Sequence, residues 1–175
     1  QKLALRLKLM PSHDSLFLLR NVLAAPRLMY LLRSAPCTDS PVLPLYDEVL
    51  RNSLSATLNV DLDDERWRQA SLPARWGGLG VRSAVLLAPS AYLASAASTT
   101  ELASSLLPVR LRDAVDNGIE PATFAWLRLA HYPLQSSLTT TPTSIAQRSW
   151  DDPCCKAQAD MLLDSAVDHV VRARL

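Results

Sequence analysis

The stretch "QASLPARWGGLGVRSA", residues 69–84, holds Gly77, Gly78 and Gly80, three of the four glycines in the 175-residue chain. Glycine reaches positive φ at low steric cost, so a cluster in a glycine-poor sequence marks a sharp change of direction. A Walker-type phosphate loop needs Gly, four spacers and Gly-Lys-Ser/Thr, and a dinucleotide loop needs G-x-G-x-x-G after a strand. "WGGLGV" comes after Leu72-Pro73 and has neither the lysine nor that spacing. The cluster reads as a structural turn, with a helix ending near Leu72 and another beginning near Val81.

Helical signals surround the turn on both sides. Ser12 precedes "HDSLFLLRNVLAAPRLMYLLRSA", where Leu16, Leu19, Leu23, Met29 and Leu32 make a broad apolar face, with Pro26 expected to kink or break it. Ser40-Pro41 is a cap followed by proline, opening "VLPLYDEVLRNSLSATL". Asp61 is placed to cap "LDDERWRQASL", whose first turn is acidic. After the glycines, "VRSAVLLAPSAYLASAAS" is expected to be interrupted at Pro89, and Ser98-Thr-Thr-Glu101 reads as a capping box for a further helix. "LRDAVDNG" ends at Gly118, read as a C-cap, and "PATFAWLRLAHY" is a short helix. Thr141-Pro142 is another cap-plus-proline start. Asp152-Pro153 opens the last and longest candidate, with Ala159, Leu163, Ala166 or Val167, and Val170 in a stripe. No strand pattern and no internal repeat emerges, so the expected fold is all-α, an irregular bundle of roughly seven to nine helices.

Composition agrees with that class. Apolar residues are 49% of the chain and aromatics only 6%, and the apolar share is rich in Leu and Ala, strong helix formers. Net charge is +1, which excludes a polycation, but residues 1–60 carry seven basic and four acidic side chains, while 113–175 carry five and eight. Arginine dominates the basic residues, and it suits bidentate phosphate contacts. Cys37, Cys154 and Cys155 have no framework or zinc spacing, which points to a reduced, intracellular setting. No signal peptide is visible, and no uninterrupted apolar run reaches the roughly 18 residues of a membrane span. The chain begins with Gln1 rather than Met, as a piece of a larger protein would.

Chemistry-bearing constellations are few. Paired carboxylates hold Mg²⁺ in polymerases at the tip of a strand hairpin. Asp61, Asp63 and Asp64 in "VDLDDE" have a helical pattern after them and no strand before them, so they read as a capped helix start, as do Asp151-Asp152 before Pro153. His13, His131 and His169 are far apart and have no partner at ligand spacing, so no catalytic residue and no metal site is assigned. Trp67, Trp76, Trp126 and Trp150 read as core or half-buried residues before base-stacking ones. Arg20 and Arg27, seven apart, fall on one helical face, with Arg33 near its end. That short basic stripe is what a phosphate contact needs, and equally what an ordinary solvated face carries. Arg75 and Arg82 flank the glycine turn as further candidates.

Two stretches together bring in a family. "LLRNVLAAPRLMYLLRSAP" with "LPLYDEVLRNSL", and "QASLPARWGGLGVRSAVLLAPSAYLASAAS", resemble the region downstream of the polymerase palm in reverse transcriptases of non-LTR (LINE-type) retrotransposons. "QRSWDDPCCKAQADMLLDSA" and the closing "RARL" look like the continuation in the same reading frames, so the resemblance covers nearly the whole chain. It implies a thumb-like helical region over 1–112 and a post-thumb region over 113–175, forming one compact unit. The family's palm carries a Tyr/Phe-x-Asp-Asp motif that binds Mg²⁺, and no stretch here matches it. The resemblance thus implies a fragment that does no chemistry alone and holds no cofactor itself. Its partners would be the upstream palm domain and, weakly and without sequence readout, an RNA–DNA or RNA duplex held by Arg20, Arg27, Arg33, Arg75 and Arg82. The cytoplasm and nucleus are the implied locations, and no membrane is implied. The alternative is a helical protein-interaction scaffold, in which Leu/Ala faces dock other domains of the polyprotein and the arginines are only solvated.

Overall fold

A computed structural model describes residues 2–111, 118–133 and 146–166. These form eight α-helices and no strand, so the fold is all-α. The helices are α1 (Lys2–Leu7), α2 (Ser12–Leu18), α3 (Ala25–Ser34), α4 (Val42–Leu58), α5 (Asp64–Ser71), α6 (Ala84–Leu106), α7 (Ile119–Leu129) and α8 (Gln147–Ser165). The chain divides into two compact units. The first is drawn from Gln1–Leu28, Pro41–Ala84 and Gln158–Leu175, the second from Met29–Ser40 and Val85–Ala157.

Helix α4 organises the first unit. Its buried residues Leu43, Asp47, Leu50, Leu54 and Thr57 recur at alternating four- and three-residue steps, one face of a helix. Leu50 and Leu54 join Leu7, Leu19, Ala24, Leu62, Ala70 and Val81 in one core, and α1, α2 and the turn after α2 all pack on α4. Each fully buried leucine contributes roughly 1.5–3 kcal/mol. The two buried hydroxyls are satisfied within the helix. Ser53 Oγ donates to the Val49 carbonyl at 2.6 Å, and Thr57 Oγ1 to that of Ser53 at 2.8 Å. Pro41, at φ −66° and ψ −10°, is already helical before the first turn, and Asn59, at φ 52°, ends the helix in the left-handed region.

The expected break near Pro26 falls at Ala24. Helix α2 runs into a π-turn over Leu19–Leu23, closed by Ala24 N–H on the Leu19 carbonyl at 2.8 Å, and Ala24 then leaves helical geometry at ψ −130°. Pro26 lacks an amide and its ring opposes the carbonyl four residues back, so the helix restarts at Ala25 with the proline in its first turn. Tyr46 mends the break by donating its phenol to the Leu23 carbonyl, with the Ala24 carbonyl 3.5 Å away. Burial raises the Tyr46 phenol above its ordinary value, Arg27 opposes the rise and Asp47 adds to it. A phenol raised in the fold contributes stability that is complete below its unfolded value of about 10 and is lost as pH climbs through the folded value. Tyr46→Phe is therefore expected to cost about 1 kcal/mol at pH 7. The gap between wild type and variant should narrow in urea unfolding repeated toward pH 10.5.

In the second unit Trp126 is fully buried among Leu93, Ala94, Ala122, Leu127, Trp150 and Cys154. Its indole donates to the Trp150 carbonyl at 2.6 Å, and the two rings meet edge to face at 5.4 Å. These two tryptophans are core residues, as expected, and Trp67 and Trp76 are half-buried. Cys154 and Cys155 are buried and Cys37 is half-buried, and none of the three is in a disulfide.

Several expected boundaries move. Asp63, not Asp61, caps α5. Its backbone is extended there and its carboxylate accepts Arg66 N–H at 2.8 Å, while the Asp61 carbonyl accepts from the Arg66 guanidinium. Helix α6 runs through Pro89, which is buried, and through Ser98–Glu101, which form no capping box. A cap needs an extended residue. Here Ser98, Thr99 and Thr100 instead donate to the carbonyls of Ser95 and Ala96 inside a continuous helix. Helix α8 starts at Gln147 rather than at Asp152-Pro153, which leaves Asp151 buried inside it and Asp152 beside Arg148 at 3.4 Å. At 19 residues it is shorter than α6 with 23. Its buried side carries Cys155, Gln158, Leu162 and Ala166, with Leu163 exposed. Gly118 precedes α7 at φ −90°, so it is not a left-handed C-cap. It is glycine for space, since a Cβ there would lie 2.5 Å from the Tyr92 hydroxyl. Thr141-Pro142, Val167, Val170 and His169 lie outside the described residues.

Candidate nucleic-acid interface

Backbone hydrogen bonds close the glycine turn. After α5 the chain passes Pro73 into a single 3₁₀ turn, Ala74–Trp76, which Gly77 ends at φ 77°. Gly77 N–H donates to the Ala74 carbonyl, Gly78 N–H to Pro73, Leu79 N–H to Ala70 and Gly80 N–H to Leu72, at 2.8–3.2 Å. Four consecutive amides directed inward leave no ring of donors for a phosphate, which a phosphate-cradling loop would require. Gly77 and Gly80 occupy positive φ, as a sharp reversal demands. Gly78 does not. Its hydrogen fits where a Cβ would stand 2.1 Å from the Leu72 carbonyl oxygen.

The turn has a basic neighbour that sequence distance conceals. A Cβ on buried Gly80 would lie 2.8 Å from Arg20 Nε and 3.1 Å from Arg20 Cζ, so the guanidinium of an exposed arginine on the π-turn rests against the glycine. Arg75 is exposed on the 3₁₀ turn, and Arg82 is half-buried just before α6. Arg27 is exposed in the first turn of α3 and close enough to Tyr46 to act on its phenol. These four belong to the first unit, whereas Arg33, also exposed, belongs to the second. The helical period that would set Arg20 and Arg27 on one face is broken between them by the π-turn and Ala24, so their spacing does not define a stripe.

Three carboxylates of the first unit serve the fold. Asp47 accepts from Ser83 Oγ at 2.5 Å and from Ala84 N–H at 2.6 Å, capping α6 from α4. Asp63 caps α5, and Asp64 pairs with Arg51 at 2.6 Å while Arg51 also donates to the Leu62 carbonyl. Arg20, Arg27 and Arg33 have no ion-pair partner among the described residues. Exposed His13 pairs with its half-buried neighbour Asp14 at 3.1 Å, and His131 is exposed at φ 56°. No group of three or more His, Cys, Asp or Glu placed to hold a metal occurs among the described residues.

Two features escape a reading by motif. A cleft of about 190 Å³ lies beside the turn in the first unit, between Arg75, Trp76 and Gly77 on one side and Asp160, Leu162 and Leu163 of α8 on the other. Helix α4 also carries a second apolar row, Val42, Leu45 and Val49, which stays exposed, and its i, i+3, i+7 spacing was open to reading in the sequence. By length and mean hydropathy alone Ser12–Ser34 could cross a membrane, although arginines punctuate it and Ala24 breaks its helical geometry.

Comparison with protein-family models, with curated proteins and with solved structures returns no match.

Proposed function

We propose that this chain is a non-catalytic, thumb-side helical part of a non-LTR reverse transcriptase that holds the template–primer duplex by its phosphates without reading sequence. The observation that carries this reading is the pair Arg20 and Arg27, exposed in the first unit and without carboxylate partners among the described residues, while Asp47, Asp63 and Asp64 are engaged in caps and an ion pair. An exposed guanidinium with no internal partner offers its planar fork to a phosphodiester. Arg33, Arg75 and Arg82 are the further contacts proposed. Nucleotidyl transfer and its Mg²⁺ belong on this reading to a palm domain upstream, and the setting is the cytoplasm and nucleus.

The test is binding of the purified chain to a labelled RNA–DNA hybrid across about 50–200 mM salt. Affinity should fall steeply with salt and alike for unrelated sequences. Arg20→Ala with Arg27→Ala should weaken every hybrid equally and make the log–log salt slope shallower by about two. An unchanged slope would remove both arginines from the interface.

The scaffold reading has one observation in its favour, the exposed row Val42, Leu45 and Val49 on α4. Contiguous apolar surface of that kind suits a protein partner. A folded chain that ignores the hybrid at low salt would move the assignment there.

A further inference from the structure

Gly80 is buried, held at φ +75°, and covered by the side chain of an exposed arginine 60 residues earlier in the chain. The space a Cβ would take is filled by Arg20 itself, with Nε at 2.8 Å, Cζ at 3.1 Å and Cδ at 3.4 Å from that point. A solvated arginine samples many rotamers and loses that freedom when it grips a ligand. One lying on a glycine within a backbone-clamped turn has lost part of it beforehand. The clamp is the set of inward hydrogen bonds from Gly77 to Gly80, which fix the seat.

We propose that Gly80 is a positioning residue for Arg20. It is the seat that holds the guanidinium ready for a phosphodiester of the nucleic-acid backbone, so that the π-turn and the glycine turn form one phosphate-binding site. The proposal rests on the reading of Arg20 as a phosphate contact. A Cβ at position 80 displaces the guanidinium without altering its charge.

The experiment compares wild type, Arg20→Ala, Gly80→Ala, the double variant and Arg20→Lys, each first shown to be folded by thermal melting, on the same labelled hybrid across the same salt range. Gly80→Ala is expected to weaken binding by about threefold to tenfold. It should also make the salt slope shallower by about one, as Arg20→Ala does. In the double variant the glycine change should add nothing, because the side chain that a Cβ would displace is gone. Arg20→Lys keeps the charge at an exposed position, removes the planar fork, and should fall between wild type and Arg20→Ala even if Gly80→Ala does not fold.

A wild type that does not bind overturns the nucleic-acid reading and the seat together. A wild type that binds with Arg20→Ala unaffected removes Arg20 from the site. If Arg20→Ala weakens binding but Gly80→Ala or Arg20→Lys behaves as wild type, the seat is wrong and the wider reading stands. A further loss on adding Gly80→Ala to Arg20→Ala also overturns the seat, since the glycine would then be acting elsewhere.

Discussion

Gly78→Ala should lose at least about 3 kcal/mol of folding stability, read as a fall in the urea midpoint. The added Cβ would stand 2.1 Å from the Leu72 carbonyl oxygen, 2.5 Å from the Leu72 carbonyl carbon and 2.6 Å from the Gln69 carbonyl oxygen. All three are backbone atoms, which cannot swing aside as a side chain can. The Leu72 carbonyl is also fixed by accepting Gly80 N–H at 2.8 Å. Relief therefore requires opening the turn and surrendering the hydrogen bonds that close it. Gly77→Ala makes the informative comparison. There the alanine, not the glycine, would be strained by the φ of 77°, and a left-handed alanine costs only about 1–2 kcal/mol. A larger loss at Gly77 than at Gly78 would show that dihedral preference, not close approach, governs this turn.

Asp47→Ala is expected to cost about 3 kcal/mol by the same measurement, well above the roughly 1 kcal/mol typical of losing a local helix cap. Asp47 is buried and serves Ser83 Oγ and Ala84 N–H together, so its removal strands two donors in the interior. Asp47→Asn retains an acceptor oxygen of the same shape and should lose less. Equal losses for the two variants would mean that charge, rather than hydrogen-bond satisfaction, is what the start of α6 requires.

How far the sequence discloses this fold depends on the range over which each decision is made. Helix α4 is legible from Val42 to Leu58 because its start, its period and its end all lie within the stretch. Helix α6 is not, because Pro89 and Ser98–Glu101 look like punctuation. Their fate is set by burial of the proline and by hydroxyls turning back on their own helix. The start of α8 is lost for a similar reason, since Pro153 lies inside the helix. The glycine turn is legible as a turn, but the different demands on Gly77, Gly78 and Gly80 are not, since one is set by the atoms opposite and two by φ. The contacts of Asp47 with Ala84, 37 residues away, and of Arg20 with Gly80 join residues that no local window spans. Both the cap of α6 and the proposed phosphate site depend on such pairs.

The π-turn at Leu19–Leu23 has a consequence for tolerance to change in length. An i to i+5 bond such as that from Ala24 to Leu19 accommodates one residue more than an α-helical turn would use. Deleting Asn21 or Val22, both exposed, would let the ordinary repeat return, because the wide turn absorbs its extra residue locally and the faces on either side keep their direction. The same deletion inside α2 would rotate the residues on one side of it by about 100° and take Leu16 or Leu19 from the core. The wide turn is thus a place where the chain can lose a residue that the regular helix beside it could not spare.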